Sequence, residues 1–223
     1  MSEFFETALT SKQFLLAMSE TFTMVSIALV LGSLFGILLG ILLVITRPEG
    51  IWENKRIYRV INPIINIFRS LPFIILLVAI IPLTRFVVGT SIGTTAAIVP
   101  LVIYIAPYTA RLVENSLLSV HSGIIEAADA MGATNWQIVW HFILPEAKSS
   151  LILSLTAASI TLVGATAMAG AVGGGGVGDL ALNYGYQRFD NVAMAITVVT
   201  LVIIVQGIQF IGDTLARKAR FSE

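Results

Sequence analysis

The chain has 223 residues but no cysteine, and it has only two histidines, His121 and His141. Without cysteine there can be no disulfide framework, no thiolate metal site and no cysteine nucleophile. The two histidines do not form the HExxH pattern that places two imidazoles on one face of a helix for zinc binding. The sequence therefore predicts no metal site on this chain.

Charged residues are also scarce, because only 12% of the chain is charged while 57% is hydrophobic. The mean hydropathy is +0.91. Soluble domains usually carry about 25% charged residues, so the charges here cannot cover the surface of a soluble globule. Thirteen basic residues balance thirteen acidic ones, which gives no basic excess to indicate nucleic-acid binding. The composition predicts a protein that is surrounded mainly by lipid.

Five charge-poor stretches are long enough to cross a bilayer, which needs about 20 apolar helical residues. They are residues 21–46, 60–83, 86–110, 149–178 and 191–212. The fourth exceeds one span, so we expect its glycine-rich tail to leave the bilayer. We predict an all-α membrane protein with about five transmembrane helices, forming a single domain over residues 1–223.

The first of these stretches contains three glycines at intervals of four residues, Gly32, Gly36 and Gly40. Small residues at this spacing lie on one face of a helix and allow a neighbouring helix to approach closely. Glycine is also common in membrane helices without such a role. The sequence leaves both interpretations open.

Basic residues predict the orientation of the chain, since cytoplasmic loops of membrane proteins are rich in lysine and arginine. If the C-terminus is cytoplasmic, the outer segments hold only Lys12, Arg85 and Arg188. The inner segments then hold nine basic residues: Arg47, Lys55, Arg56, Arg59, Arg111, Lys148, Arg217, Lys218 and Arg220. We therefore expect the N-terminus outside, the C-terminus inside, and one long cytoplasmic connection over about residues 114–148.

This connection is predicted to contain two helices separated by a glycine. Ser122 can cap the first helix, and Gly132 supplies the left-handed residue that ends it. Thr134 and Gln137 have the spacing of a capping box, which predicts the start of the second helix. Pro145 is expected to close that helix. A compact helix with small residues on one face suits insertion into a groove of a partner protein.

The order Glu-Ala-Ala at 126–128, Gly132, and Phe-Ile-Leu-Pro at 142–145 resembles the EAA motif of binding-protein-dependent ABC importer permeases. Phe142 stands where the family pattern has isoleucine. The resemblance implies a type I importer permease fold in which this segment contacts an ATPase. The residues implied in that contact are Glu126, Ala127, Ala128, Gly132, Leu144 and Pro145.

Further segments are similar to the methionine-uptake branch of this family: residues 66–73, 88–93, 130–134, 170–178 and 184–186. The similarity implies a permease that imports L- and D-methionine by alternating access in the bacterial inner membrane. It also implies a homodimer that binds two ATPase subunits and an external methionine-binding lipoprotein. A permease for another amino acid is the alternative.

Catalysis is not expected on this chain. It has no GxxxxGK[ST] loop to hold ATP phosphates, and the glycines at 173–176 are followed by no lysine. ATP and Mg²⁺ would therefore bind to the partner ATPase. An intramembrane enzyme would need a nucleophile and base within the spans, and neither GxSxG nor paired aspartates occur there. A channel or membrane scaffold would not need the EAA spacing.

Candidate residues of the transport pathway are Arg69, Ser70, Pro72 and Met168. Arg69 lies in an apolar stretch, where a charge usually faces the bundle interior or water. Its side chain could instead extend to the cytoplasmic interface. Residues 170–178 could form a flexible external loop or hinge where a binding protein docks, or alternatively allow close packing of backbones, and the two roles are compatible.

Overall fold

The computed structural model describes residues 7–220, and no β-strand occurs in that range. The helices are α1 (Ser11–Thr46), α2 (Lys55–Ser70), α3 (Phe73–Ala79), α4 (Ile81–Val88), α5 (Thr94–Leu118), α6 (Ser122–Ala130), α7 (Asn135–Gln137), α8 (Leu144–Glu146), α9 (Lys148–Gly170), α10 (Val177–Leu180) and α11 (Asn191–Arg220). Two π-helical turns, Ile138–Ile143 and Ala181–Tyr186, follow α7 and α10.

Helices α1, α5, α9 and α11 are each long and apolar enough to cross a membrane. A fifth span is possible if α2 and α3 count as one element, although they are bent by 105° relative to each other. The all-α fold with about five membrane helices is therefore confirmed. Its core lies where α1, α5 and α9 meet, with Met24, Leu101, Ile105 and Leu162 fully buried.

The glycine stripe of α1 packs directly against α5. A Cβ atom at Gly32 would lie 2.1 Å from Cγ2 of Ile105, and one at Gly36 would lie 2.6 Å from Cβ of Thr109. Such distances are far below van der Waals contact, so larger residues at Gly32, Gly36 or Gly40 would separate the two helices. Of the two interpretations of the stripe, close helix packing is the one that the structure shows.

The predicted second and third spans, residues 60–83 and 86–110, have the wrong boundaries. Proline ends α2, because Leu71 precedes Pro72 and is extended (ψ 127°), as residues before proline tend to be. Gly89, with φ +80°, ends α4, and Gly93, with φ +96°, precedes α5. The turn between them is uncharged, so absence of charge could not reveal it.

The first and last helices of the chain, α1 and α11, are longer than the predicted spans. Helix α1 begins ten residues before position 21, where Thr10 and Gln13 form a capping box, and α11 continues past position 212 to Arg220. Charged residues such as Lys12 and Arg217 lie on these extensions. A helix can extend beyond the hydrocarbon core into water, so the charge-free length underestimates its extent.

Contacts between helix ends agree with the predicted grouping of helix ends on the two sides of the membrane. The Thr7 hydroxyl donates to Asp190 Oδ2 at 2.8 Å, which places the start of α1 beside the start of α11. Ser149 Oγ donates to the carbonyl oxygen of Ala216 at 3.0 Å, which places the start of α9 beside the end of α11. The first pair lies in segments expected outside and the second in segments expected inside.

Single cysteines would test this orientation, since the chain has none of its own. We expect an impermeant maleimide to label Lys12→Cys and Arg188→Cys in intact cells, and Lys55→Cys and Arg217→Cys only after permeabilisation. Labelling of position 55 from outside would contradict the basic-residue argument.

Candidate functional site

We call residues 119–147, which lie between α5 and α9, the connecting segment. It contains both predicted helices and packs against the ends of α1 and α5. The buried side chains of this cluster include Val44, Val113, Ala128, Ile138 and Ile143. Burial of these apolar groups attaches the segment to the bundle. A displacement of the segment must therefore move α1 and α5 or disrupt this cluster.

Gly132 ends α6 with the geometry that the sequence predicts. Its φ is +77°, and its N–H donates to the carbonyl oxygen of Asp129 at 2.8 Å. The N–H of Ala133 donates to the carbonyl oxygen of Ala128 at 3.1 Å. These two bonds form a Schellman motif, in which the left-handed residue is usually glycine. A Cβ at Gly132 would meet no described heavy atom within 4 Å.

Two other predictions about α6 and α7 have different outcomes. The capping box of Thr134 and Gln137 is confirmed, with both of its hydrogen bonds present. The prediction that Ser122 caps α6 is wrong, because the cap is His121, whose Nδ1 accepts from the N–H of Gly123 at 3.1 Å. An imidazole nitrogen replaces the hydroxyl oxygen that is more common at this position.

The prediction that Pro145 closes the second helix is also wrong, since helical conformation continues to Glu146. Pro145 lies in the first turn of α8, where proline is tolerated because no intrahelical N–H is needed. The preceding turn is π-helical, and the N–H of Leu144 donates to the carbonyl oxygen of Val139, five residues back. This wider turn separates α7 from α8 and accommodates the proline.

The structure brings the six EAA residues into this one segment and divides them into two groups. Ala128 is fully buried, and Leu144 is partly buried against the same apolar cluster. The other four are exposed to solvent: Glu126, Ala127, Gly132 and Pro145. The buried pair can hold the segment in place, while the exposed four are accessible to another protein.

The pathway candidates Arg69, Ser70 and Pro72 lie together at the bend between α2 and α3. Arg69 is in the last turn of α2 and is exposed, as is Ser70, whose hydroxyl donates to the carbonyl oxygen of Ile67 at 2.8 Å. Pro72 caps α3. Met168 is separate from them, on α9, and is half exposed. Their roles in transport stay predictions.

A buried polar cluster near the connecting segment was missed by the sequence analysis. Arg111 pairs with Glu114 on α5, and its Nη2 donates to Oδ1 of Asn62 at 2.6 Å and to Oδ1 of Asn66 at 2.8 Å on α2. Only 5% of the Glu114 side chain is exposed. The sequence contained a signal for this cluster. Arg111 and Glu114 are three residues apart on α5, and Asn62 and Asn66 are four residues apart on α2, so each pair lies on one face of its helix.

At the opposite end of α5, the glycine-rich residues 170–178 are tightly packed. A Cβ at Gly170 would lie 2.4 Å from the backbone nitrogen of Asp179, and one at Gly178 would lie 2.3 Å from Cα of Ala167. The N–H of Gly176 donates to Oε2 of Glu20 at 2.7 Å. The structure therefore shows close packing of backbones in this loop. The hydrogen bond from Gly176 to Glu20 also links the loop to α1.

Asp190 links the N-terminal segment to the start of α11. Its carboxylate accepts from the N–H of Ala193 at 2.8 Å, as an N-cap does. It also accepts from Thr7 and Ala8. The Ala193 N–H is the main cause that lowers the pKa of Asp190, since it stabilises the ionised form. Nearby, the Arg188 guanidinium lies 4.4 Å from the ring centre of Tyr184.

Metal ions have no evident site in the part of the chain that the structure describes, where no group of three or more histidine or carboxylate side chains converges. The geometry instead offers an exposed segment at one end of the bundle and a packed glycine-rich turn at the other. The long helices α1, α5 and α9 connect the two. Such an arrangement can transmit a displacement from one end of the bundle to the other.

Comparisons with known proteins agree with this geometry. A model of the protein family described as "Binding-protein-dependent transport system inner membrane component" matches residues 32–219. A probable D-methionine transport system permease of Vibrio cholerae is 51% identical over 211 residues, covering 95% of this chain and 94% of the relative. The D-methionine transport system permease of Escherichia coli K12 is 52% identical over 151 residues, covering 68% and 70%.

Solved structures give the same result. A chain of the MetNI methionine ABC transporter, in an inward-facing conformation, matches with a TM-score of 0.91 and 47% identity, covering 95% of this chain and 99% of that chain. An amino acid ABC transporter described with histidines matches with a TM-score of 0.77 but only 19% identity, covering 93% and 94%. The latter shows the fold alone. Together these matches confirm the importer-permease fold and the resemblance found in the sequence.

Proposed function

The chain belongs to the family of binding-protein-dependent transport system inner membrane components, and on that premise we propose that it imports methionine. It is a permease subunit of an ABC importer and not an enzyme, and the ATPase is a separate subunit. The methionine assignment rests on the 51% identity to a probable D-methionine permease over 95% of this chain. Both L- and D-methionine are proposed as substrates.

The proposed mechanism is alternating access driven through the connecting segment. A separate ATPase can act on the membrane helices only through physical contact, and Glu126, Ala127 and Gly132 are exposed where such contact can occur. Ala128 and Ile143 are buried against the ends of α1 and α5. Movement of a bound ATPase would therefore shift these helices as packed units, as in other domain rearrangements.

The proposed assembly has two copies of this chain, two ATPase subunits and an external methionine-binding lipoprotein, in the bacterial inner membrane. The packed turn of residues 170–178, held to α1 through Glu20 and Gly176, is proposed as the outer surface where the lipoprotein docks. Arg69, Ser70 and Pro72 are proposed to border the pathway, since they lie together at the 105° bend between α2 and α3. Met168 is proposed as a pathway residue on α9.

Uptake measurements test the substrate. We expect cells that lack this chain to lose high-affinity uptake of labelled L- and D-methionine, while uptake of histidine, glutamine and arginine is retained. Expression of the intact chain should restore methionine uptake. Unchanged methionine uptake in a strain without another methionine system would contradict the proposal, and equal loss of several amino acids would indicate a broader permease.

The alternative, a permease for another amino acid, has less support. The amino acid transporter with histidines shares the fold at 19% identity, and a fold can serve many substrates. The uptake comparison above distinguishes the two cases directly.

A further inference from the structure

Phe189 has an unusual backbone conformation in the short turn between the π-helical turn Ala181–Tyr186 and α11. Its φ is +57°, in the left-handed region that a bulky side chain seldom adopts. Within residues 7–220, Glu49 is the only other non-glycine residue with positive φ. Backbone strain of this kind persists only where the surrounding structure holds it, and it is concentrated at functional sites.

Hydrogen bonds around Phe189 hold this conformation. The N–H of Asp190 donates to the carbonyl oxygen of Tyr184 at 3.1 Å, which closes the end of the helical segment around Phe189. The corresponding bond in a Schellman motif also follows a left-handed residue. Asp190 is fixed in turn, because its carboxylate accepts from Thr7 and from the N–H of Ala193. The position of Phe189 is therefore set by rigid neighbours.

Glycine would fit this position better than phenylalanine does. Gly89 and Gly132 end α4 and α6 with φ of +80° and +77°, since glycine enters the left-handed region without steric cost. Packing of the ring inside the protein could offset the strain at Phe189, but this residue is 83% exposed. Burial within this chain therefore does not explain why a ring occupies the position.

The depth of Phe189 places it outside the hydrocarbon core. On α11, exposed large apolar side chains extend from Ile196 to Leu215, which is about 28 Å at 1.5 Å per residue and close to the roughly 30 Å core. Helix α11 begins at Asn191, about 7 Å before Ile196, and Phe189 precedes it. The headgroup layer is about 5–7 Å thick on each side. Phe189 therefore lies at the outer edge of the lipid, where a protein outside the membrane can reach it.

The neighbouring side chains have the composition of a protein-binding surface. Tyr186 is 68% exposed, and Gln187 and Arg188 are exposed as well. Aromatic residues and arginine are enriched in protein interfaces and supply many of their energetic anchors. The Arg188 guanidinium lies over the ring of Tyr184, whose hydroxyl accepts from Nε2 of Gln13 at 2.7 Å. Such preorganised side chains lose little entropy when a partner binds.

This turn is continuous with the outer surface proposed above for the lipoprotein. Residues 170–178 lead into α10 and the π-helical turn. Asn183 Nδ2 donates to Oδ1 of Asp179 at 2.8 Å, and a Cβ at Gly170 would meet the backbone of Asp179. The glycine-rich residues and the turn that carries Phe189 therefore belong to one packed unit.

We propose that Phe189 is an anchor residue for the external methionine-binding lipoprotein, with its ring in an apolar pocket of that protein. Tyr186 and Arg188 flank this anchor. The strained backbone holds the ring away from the permease's own core, so that the ring is available to the partner. This inference rests on the proposed function, because it takes the lipoprotein as the partner.

Binding of the lipoprotein to the complete importer measures the anchor. The importer is held in phospholipid nanodiscs, and the lipoprotein is used without its lipid. We expect Phe189→Gly to raise the Kd by about tenfold or more, as loss of an aromatic hot spot does, while Phe189→Tyr keeps most of the affinity. Phe210→Ala is the matched control, since Phe210 is 70% exposed within the apolar stretch of α11, and it should bind like the wild type.

The glycine variant also separates binding from folding. Because glycine relieves the strain at φ +57°, Phe189→Gly should not lower the apparent melting temperature of the purified permease. A lower melting temperature together with weaker binding would mean that the ring stabilises the permease itself, and would overturn the proposal.

A photoreactive phenylalanine shows what the ring contacts. With benzoylphenylalanine in place of Phe189, illumination of the importer with its lipoprotein should give a product of these two proteins. The same probe in place of Phe210 should give none. A product with the second permease copy or with lipid alone would contradict the proposal.

The wild-type measurement distinguishes this inference from the function on which it rests. Equal affinity of the wild type and Phe189→Gly would overturn the anchor but leave the lipoprotein as a partner. Absence of binding to the wild type would overturn both.

Discussion

Substitution of Gly132 by valine is expected to abolish most ATP-driven transport while the membrane helices stay folded. Gly132 has φ +77°, and a β-branched residue in this region is a backbone outlier with strain on the order of 1–3 kcal/mol. The strain would disrupt the Schellman motif that ends α6. Since Gly132 is exposed, as are Glu126 and Ala127 of the same segment, a bulky side chain would also obstruct a bound ATPase.

Reconstituted vesicles allow uptake, ATP hydrolysis and retention of the ATPase to be measured on one preparation. For Gly132→Val we expect normal insertion and dimer formation, with weaker ATPase binding or hydrolysis that no longer drives uptake. Glu126→Ala should act in the same direction but more weakly, because one exposed carboxylate contact contributes little. Uptake at the wild-type rate by Gly132→Val would show that this segment does not couple the two subunits.

Two control variants separate backbone strain from loss of contact. Gly89 also has positive φ, +80°, and a Cβ there would meet no described atom within 4 Å, but it lies at the other end of α5. Gly89→Val should therefore retain most uptake. Gly132→Asn should retain more activity than Gly132→Val, because asparagine tolerates the left-handed region. Equal losses in Gly89→Val and Gly132→Val would assign the effect to strain alone.

Removal of the Arg111 side chain is expected to cause the largest loss of stability. Glu114 is nearly fully buried and pairs with Arg111, whose guanidinium also donates to Asn62 and Asn66. Arg111→Ala would leave a buried carboxylate and two amide oxygens without their donor. Removing one partner of a buried ion pair typically costs about 3–5 kcal/mol in free energy of unfolding.

The apparent melting temperature of the purified protein in detergent measures this effect. Arg69→Ala, which removes an exposed arginine from α2, should change it little. The double variant Arg111→Met with Glu114→Gln should be more stable than Arg111→Ala, because it leaves no unpaired charge. An Arg111→Ala protein as stable as Arg69→Ala would mean that the cluster does not hold α2 to α5.

Local signals in the sequence predicted local structure well. Gly132 requires a left-handed conformation, and Thr134 with Gln137 forms hydrogen bonds within a single turn, so spacing alone locates both. The role of Pro145 depended on the π-helical turn before it, which has no comparable signature. His121 replaced Ser122 as the cap because an imidazole nitrogen can accept the same hydrogen bond.

Contacts between distant helices could not be predicted in the same way. The bond from Arg111 to Asn62 joins residues 49 positions apart, and it forms only because α2 packs beside α5. Residues 60–83 were predicted as one span, whereas the 105° bend between α2 and α3 depends on how α3 packs against α5 and α9. Trp52 and Trp136 likewise come from two separate connections, and their ring centres lie 6.3 Å apart.

Cross-linking from the connecting segment to the ATPase tests the central claim most directly. Ala127 is exposed on α6, and Ala127→Cys would be the one cysteine in the chain. With a photoreactive maleimide attached there, the purified complex should give a product of permease and ATPase. The same probe at Thr90→Cys, in the turn before α5, should give none. If Ala127→Cys is fully modified in an intact complex and still yields no such product, the segment does not contact the ATPase and the account is wrong.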